Sequence, residues 1–364
     1  MTTLHKIAVL PGDGIGPEVV REAMKVLELL KELDPSLHID FETFDWNSDY
    51  YLENGRIMPE DGLEILKQYD AILFGAIGDA RVPDEVTIWQ LIMPIRKQLQ
   101  QYINFRPVKL LKGVPSPLAN EKDIDFVIIR ENAEGEYSNS GGRLYTGLDQ
   151  EIAVQNTIIT RAGTKKVAEF SYKYAKKHGK QSVTSATKSN AILHSMVLWD
   201  EVVKEVSKDY PSIHTDHYFI DALVAYFVSR PHDFDVVVAS NLFGDILSDL
   251  GSAVVGGLGL SPSANLNPER DFPSMFEPVH GSAPDIAGQG IANPIAQIWS
   301  AALMLEHLGR ADLADVIVES IEHVLLENQV RTPDLGGTST TSEMGTAICE
   351  SIKKEIHERQ VKHS

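Results

Sequence analysis

The sequence predicts an α/β fold built on a mixed, largely parallel sheet, and two observations carry that expectation. Short apolar, β-branched runs alternate with amphipathic helical stretches along most of the chain. One segment breaks the alternation: Gly135 to Gly163, rich in Gly, Ser, Tyr and alternating β-branched residues, suits an antiparallel ribbon projecting from the α/β body.

The elements follow in order. Ile7–Leu10 is a four-residue apolar run ended by Pro11-Gly12, too short for a signal-peptide core and suited to a buried first strand. Helical spacing of Val19, Val20, Met24, Leu27 and Leu30 predicts a helix from Glu18 to Leu33. A strand at Ile39–Phe44, a helix at Asp61–Gln68 and a strand at Ala71–Phe74 come next. Further strands are expected at Phe126–Ile129, Ile152–Ile159, Gln181–Ser185, His214–Ile220 and Phe234–Ala239. From Pro294 onward the pattern is helical, at Ile295–Leu308, Leu313–Glu327 and Ser342–Glu358.

Composition narrows the class. The 364 residues suffice for two domains or one α/β unit with an inserted lobe. Lys+Arg of 33 against Asp+Glu of 52 gives a net charge of -19, the wrong sign for nucleic acid or an anionic membrane. An anionic substrate must therefore be drawn in by local arginines. Cys349 is the only cysteine, so no intrachain disulfide forms, and its setting is the apolar stripe of a terminal helix. No stretch approaches transmembrane length, and a cytoplasmic protein is expected.

The chemistry concentrates in Asn241-Leu242-Phe243-Gly244-Asp245-Ile246-Leu247-Ser248-Asp249, at what reads as the opening turn of a helix after a strand. Asp245 and Asp249 share one helical face. Two hard oxygen donors there suit Mg²⁺ or Mn²⁺, although acids in a first turn also simply favour the helix macrodipole. Arg96, Arg106 and Arg130 supply planar forks suited to a dicarboxylate, and Arg130 ends an apolar strand, where α/β folds place ligands. Tyr137 is a candidate proton donor or an amphipathic packing residue, and Lys188 a candidate base or a solvated charge. Asp221 is a candidate third metal ligand or a helix N-cap. Gly12-Asp13-Gly14-Ile15-Gly16 has the wrong spacing for a dinucleotide fingerprint and reads as a tight turn lining a cleft. In the Gly-rich stretch His280–Pro294, Asp285 is able to accept both ribose hydroxyls and to repel a 2′-phosphate, which favours NAD over NADP.

Taken together, Pro11–Pro17, Arg96 to Pro107, Arg130–Tyr137, Lys188–Asn190, Asp235–Asp249 and Glu277–Pro294 resemble the β-decarboxylating dehydrogenases of 2-hydroxy acids. That family includes the isocitrate, 3-isopropylmalate and tartrate/D-malate enzymes. The resemblance implies a homodimer whose sheet is not a Rossmann fold. It implies a discontinuous large, NAD-binding domain (1–101 and 256–364), a small domain (102–255), and an intersubunit arm at about 135–163. Arg96, Arg106 and Arg130 would hold substrate carboxylates, and Asp245 and Asp249 the metal, joined by Asp221 of the partner subunit. Lys188, also from the partner, would move the C2 hydroxyl proton, and Tyr137 would protonate the enolate. Ile15, His280, Gly281, Ser282, Ala283, Asp285 and Asn293 would bind NAD. A K⁺ requirement is left open.

The segment before Arg96 bears on substrate. Gln90 and Ile92 stand where bacterial isocitrate dehydrogenases carry a serine and an asparagine, so an isocitrate γ-carboxylate would face an apolar side chain. Trp89 replaces the glutamate of isopropylmalate dehydrogenases and, with Ser263–Arg270, is similar to the tartrate/D-malate group. D-malate or tartrate is therefore the expected substrate and 3-isopropylmalate the alternative. A noncatalytic regulatory subunit of this family would lack a metal aspartate, the lysine or the tyrosine, and all are present.

Overall fold

The computed structural model describes residues 4–119 and 123–363. The chain divides into two compact units: Met1–Gln101, Leu110–Lys122 and Val255–Ser364 form the first, Tyr102–Lys109 and Asp123–Val254 the second. Leu110–Lys122 thus belongs to the first unit, not to the small domain that the resemblance implies. The reason is local packing: Arg331 Nη2 donates to the Gly113 carbonyl at 2.6 Å, and a Cβ on Gly113 would meet the Leu325 backbone at 2.6 Å.

The first unit opens with β1 (His5–Gly12), α1 (Gly16–Leu33), β2 (Ile39–Thr43), α2 (Ser48–Asn54) and α3 (Gly62–Leu66). It continues through β3 (Ala71–Ala76), α4 (Asp84–Thr87), a π-helical turn (Ile88–Ile92) and α5 (Met93–Gln98). Pro17 in the first turn of α1 suits its fixed φ to a helix start. Of the apolar stripe read from the sequence, Val19, Val20, Leu27 and Leu30 are buried, together with Ala23 and Val26, whereas Met24 is half-buried.

The second unit comprises β4 (Ile103–Lys109), β5 (Asp125–Glu131), β6 (Gly141–Leu144), β7 (Ile152–Gln155), α6 (Arg161–Lys177) and β8 (Ser182–Thr187). It ends with α7 (Ser195–Ser207), β9 (His214–Phe219), α8 (Ile220–Ser229), β10 (Val236–Ala239) and α9 (Asn241–Val254). Its sheet runs β4-β5-β10-β8-β9, parallel throughout except for β4 against β5. Every residue of β10 and all but the first of β5 are buried, as expected of parallel strands covered on both faces.

The ribbon forms, but shorter than its sequence suggests. β6 and β7 pair antiparallel with all eight residues exposed, and beyond them only a single Gly135–Ile158 bridge continues the ladder. Thr160 caps α6 by accepting from the Gly163 N–H at 3.0 Å, so the last residues of the expected ribbon are helical instead.

The chain then returns to the first unit with β11 (Pro262–Leu266), β12 (Ser274–Pro278), α10 (Ile295–His307), α11 (Ala311–Glu327) and α12 (Thr341–His363). This unit's strands run β2-β1-β3-β12-β11, parallel except for β11 against β12. Cys349 on α12 is buried, and burial pushes its thiol up to about 11, so it is a packed and unreactive group. No helix among the described residues is long and apolar enough to cross a membrane.

Candidate active site

The two aspartates lie on α9, but not in its opening turn. The helix begins at Asn241 and its first turn carries no acid, so Asp245 sits one turn in and Asp249 two. The macrodipole acts mainly on the terminal turn, so it no longer accounts for the pair. What faces them is arginine. Arg130 Nη1 on β5 reaches Asp245 Oδ1 at 2.5 Å, and Arg106 Nη1 on β4 lies 3.5 Å from Asp245 and 3.9 Å from Asp249. The antiparallel β4–β5 pairing puts these two arginines on neighbouring strands beneath the helix. Arg130 is 2% exposed, so its charge depends on these partners.

Tyr137, in the 3₁₀ turn Glu136–Ser138, donates its hydroxyl to Asp245 Oδ2 at 3.0 Å, and the Arg130 guanidinium lies 5.4 Å from its ring centre. Partial desolvation raises the Asp249 carboxyl above the ordinary aspartate range, Arg106 offsets part of that, and Asp245 adds to it. Its outer side remains open to solvent. Two carboxylates one turn apart, one of them open to water, fit a hard divalent cation. The two acids balance the two guanidiniums, so adding a dication and a dicarboxylate leaves the cluster neutral.

Lys188 and Asp221 meet elsewhere in the same unit. Lys188 follows β8, Asp221 is the second residue of α8, and their side chains pair at 2.6 Å. The Lys188 ammonium holds the Asp221 carboxyl below the usual aspartate range. Among the described residues no three His, Cys, Asp or Glu side chains gather to hold a metal. Asp221 therefore does not join Asp245 and Asp249 within one chain.

In the first unit, the Gly-rich turn after β1 and the 280–293 loop come together. The Ile15 N–H donates to the Ser282 carbonyl at 2.8 Å, and a Cβ on Gly14 would strike that oxygen at 2.0 Å. Ile15 is buried with Val19 and Ala292, against which Ala283, Ile286 and Ala287 pack. His280 Nε2 is buried and makes no hydrogen bond, while Nδ1 lies 2.9 Å from the Gly281 carbonyl. Burial lowers the His280 imidazole's affinity for a proton, leaving a neutral ring with one nitrogen unengaged. Asp285 is exposed, and a Cβ on Gly281 would meet nothing within 4 Å. An unengaged imidazole nitrogen, an open glycine and an exposed carboxylate fit an adenosine moiety. Both polar ends of the Asn293 amide are engaged, with Asp334 at 3.0 Å and with the Ile295 N–H at 3.0 Å.

Arg96 on α5 pairs with Glu277 at 2.8 Å, and its buried Nε has no hydrogen-bond partner. Trp89 is half-buried in the π-helical turn, with the Lys97 ammonium 5.3 Å from its ring centre. Such turns are frequent at functional sites. Ile92 is 5% exposed and belongs to the core cluster that holds Val86, Leu91 and Ile95.

With this geometry established, comparison with known proteins places the chain. Residues 6–348 match the family model described as isocitrate/isopropylmalate dehydrogenase. The chain belongs to this family. The tartrate dehydrogenase/decarboxylase of Pseudomonas putida is 51% identical over 359 residues, covering 96% of this chain and 98% of that one. The decarboxylating D-malate dehydrogenase of Escherichia coli is 48% identical over 361 residues, covering 97% and 99%. The crystal structure of isocitrate dehydrogenase from Methylococcus capsulatus superposes with a TM-score of 0.87 at 34% identity, covering 96% and 99%.

Within this isocitrate/isopropylmalate dehydrogenase-type chain, several site residues escape sequence reasoning. Asn241 and Ser248 lie inside the aspartate motif, where the sequence singles out only the two aspartates. Ser248 Oγ accepts from Arg106 Nη1 at 2.5 Å, and Asn241 accepts from Arg130. Asp13, in the glycine turn, is buried and accepts from the Ser48 N–H and hydroxyl and from the Gly78 N–H. A polar residue in a Gly-rich turn was the available signal; its partners lie 35 and 65 residues away, where no local pattern reaches.

Proposed function

We propose that this protein is an NAD- and divalent-metal-dependent dehydrogenase that oxidises a small 2-hydroxy diacid at C2 and releases a carboxylate of C3 as CO₂. D-malate, giving pyruvate, or tartrate is the best-supported substrate. The grouping of Arg106, Arg130, Tyr137, Asp245 and Asp249 carries this reading. The names of the P. putida and E. coli relatives support it.

When bound, NAD would supply the hydride acceptor and Mn²⁺ or Mg²⁺ a Lewis acid for the charge that develops on oxidation and loss of CO₂. Arg106 and Arg130 hold substrate carboxylates through charge-assisted forks, and Arg96 is assigned the same role. Asp245 and Asp249 supply two metal ligands, and Asp221 of the partner subunit the third. Lys188 of the partner subunit takes the C2 hydroxyl proton, and Tyr137 returns a proton to C3. His280 to Asp285, Ile15 and Asn293 form the NAD side.

A homodimer follows from this assignment, and the exposed apolar residues of the ribbon, Leu144, Tyr145, Leu148, Ile152 and Val154, are what a second copy would cover. An isolated two-stranded ribbon is marginal in water without such cover. Trp89 is proposed to fill the space that an isopropyl group would need.

An NADH-coupled panel of 2-hydroxy diacids with Mn²⁺, with and without K⁺ and with products identified, tests the reading. D-malate or tartrate is expected to give the highest kcat/KM. A higher value for 3-isopropylmalate overturns the substrate assignment, and no NADH from any diacid overturns the function.

A further inference from the structure

The Arg130 guanidinium is gripped from three sides. Its Nε and Nη2 both donate to Asn241 Oδ1, at 3.0 and 2.7 Å, and its Nη1 points to Asp245. The Asn241 Nδ2 donates in turn to the Glu134 carbonyl at 3.0 Å. The partners themselves fix which end of the amide is oxygen. Reversed, the NH₂ would face two guanidinium N–H donors and the carbonyl would face another carbonyl oxygen.

The rest of the environment is built around the same side chain. A Cβ on Gly244, one turn further along α9, would meet Arg130 Cβ and Cγ at 2.6 Å, so the arginine stem runs directly beneath the helix. The Glu134 carbonyl is held in place from both sides. The Glu131 carboxylate accepts from the Ala133 and Glu134 N–H groups at 2.8 and 2.9 Å. The Glu134 carboxylate accepts from the Thr160 N–H and hydroxyl at 2.8 and 2.6 Å.

Resting on the functional reading above, we propose that Asn241 is the positioning residue for Arg130, locking the guanidinium so that Nη1 serves the metal-bearing face of α9. The role requires asparagine specifically. Alanine offers no acceptor. Aspartate, although the same shape, sets an oxygen against the Glu134 carbonyl and adds an anion that competes with Asp245 for the arginine. Asn241 touches neither the proposed substrate nor the metal in this account and acts only through Arg130.

The test is steady-state kinetics of the full-length protein with Mn²⁺, NAD and D-malate or tartrate, for wild type, N241A, N241D, R130K and R130K/N241A. N241A is expected to raise the diacid KM about tenfold or more, the scale of losing hydrogen bonds to a charged group, while the NAD KM stays within about twofold. N241D, which keeps the side-chain shape, is expected to be impaired in the same direction, so the conclusion does not rest on N241A folding. Because lysine has no fork for Asn241 to hold, adding N241A to R130K should change the diacid KM by less than about twofold. Additive effects in that cycle, or a diacid KM unchanged in both N241A and N241D while the enzyme stays active, overturn this inference alone. A wild type that turns over no diacid overturns the functional reading, and this inference with it.

Discussion

At the scale of single residues, the site shows how burial decides what a charge can do. Asp245 is stabilised by Arg130, Arg106 and Tyr137, whereas Glu131, the next residue along β5, is 4% exposed, and burial pushes its carboxyl up to about 7. Two backbone N–H groups and Arg130 pull the other way without cancelling that effect. A carboxyl whose folded pKa is raised binds its proton more tightly in the folded state than in the unfolded one. Its contribution to stability is thus complete below about pH 4.5 and is lost as pH rises through about 7, on the order of 3 kcal/mol in all. Glutamine cannot ionise. Urea unfolding of wild type and E131Q should therefore show wild type losing stability relative to the variant between pH 4.5 and 8, and a pH-independent difference would contradict the assignment.

Among the elements, those with strong periodicity were legible from sequence and those defined by distant partners were not. The stripe of α1, the apolar run of β10 and the helical C-terminal third follow from spacing alone. The aspartates were expected in the opening turn of a helix, whereas α9 begins at Asn241 and Asp245 lies one turn inside. The ribbon was overextended because the β-branched run Thr157-Ile158-Ile159 continues past β7, yet only Ile158 pairs there, and Thr160 caps the next helix. Arg106 and Arg130 were recognisable as a set, yet the antiparallel register that makes them neighbours is a tertiary fact. The proposed specificity role of Trp89 belongs at this scale too, because Trp89 is half-buried in the π-helical turn ahead of α5, while Ile92 from the same turn is buried in the core. W89A is expected to raise kcat/KM for 3-isopropylmalate relative to D-malate by about tenfold, the scale at which pocket volume discriminates alkyl groups. An unchanged ratio would assign Trp89 to packing against Lys97 and nothing more.

For the whole molecule, the decisive feature is that one chain holds its three candidate metal aspartates in two separate places. Asp245 and Asp249 face the arginines from α9, and Asp221 is paired with Lys188 at the start of α8. No third acidic, histidine or cysteine side chain completes a metal site within the described residues of a single copy. In the proposed function each working site draws α9 from one chain and the Lys188–Asp221 pair from another. Mixed dimers test this directly: K188A and D245N, each inactive alone, are unfolded together, refolded, and assayed for Mn²⁺-dependent NADH formation from D-malate. A mixed dimer then carries one site with every group intact, so activity should reappear in the mixture, in proportion to the fraction of mixed dimers. If refolded mixtures contain mixed dimers but stay as inactive as either variant alone, the groups act within one chain and the account is wrong.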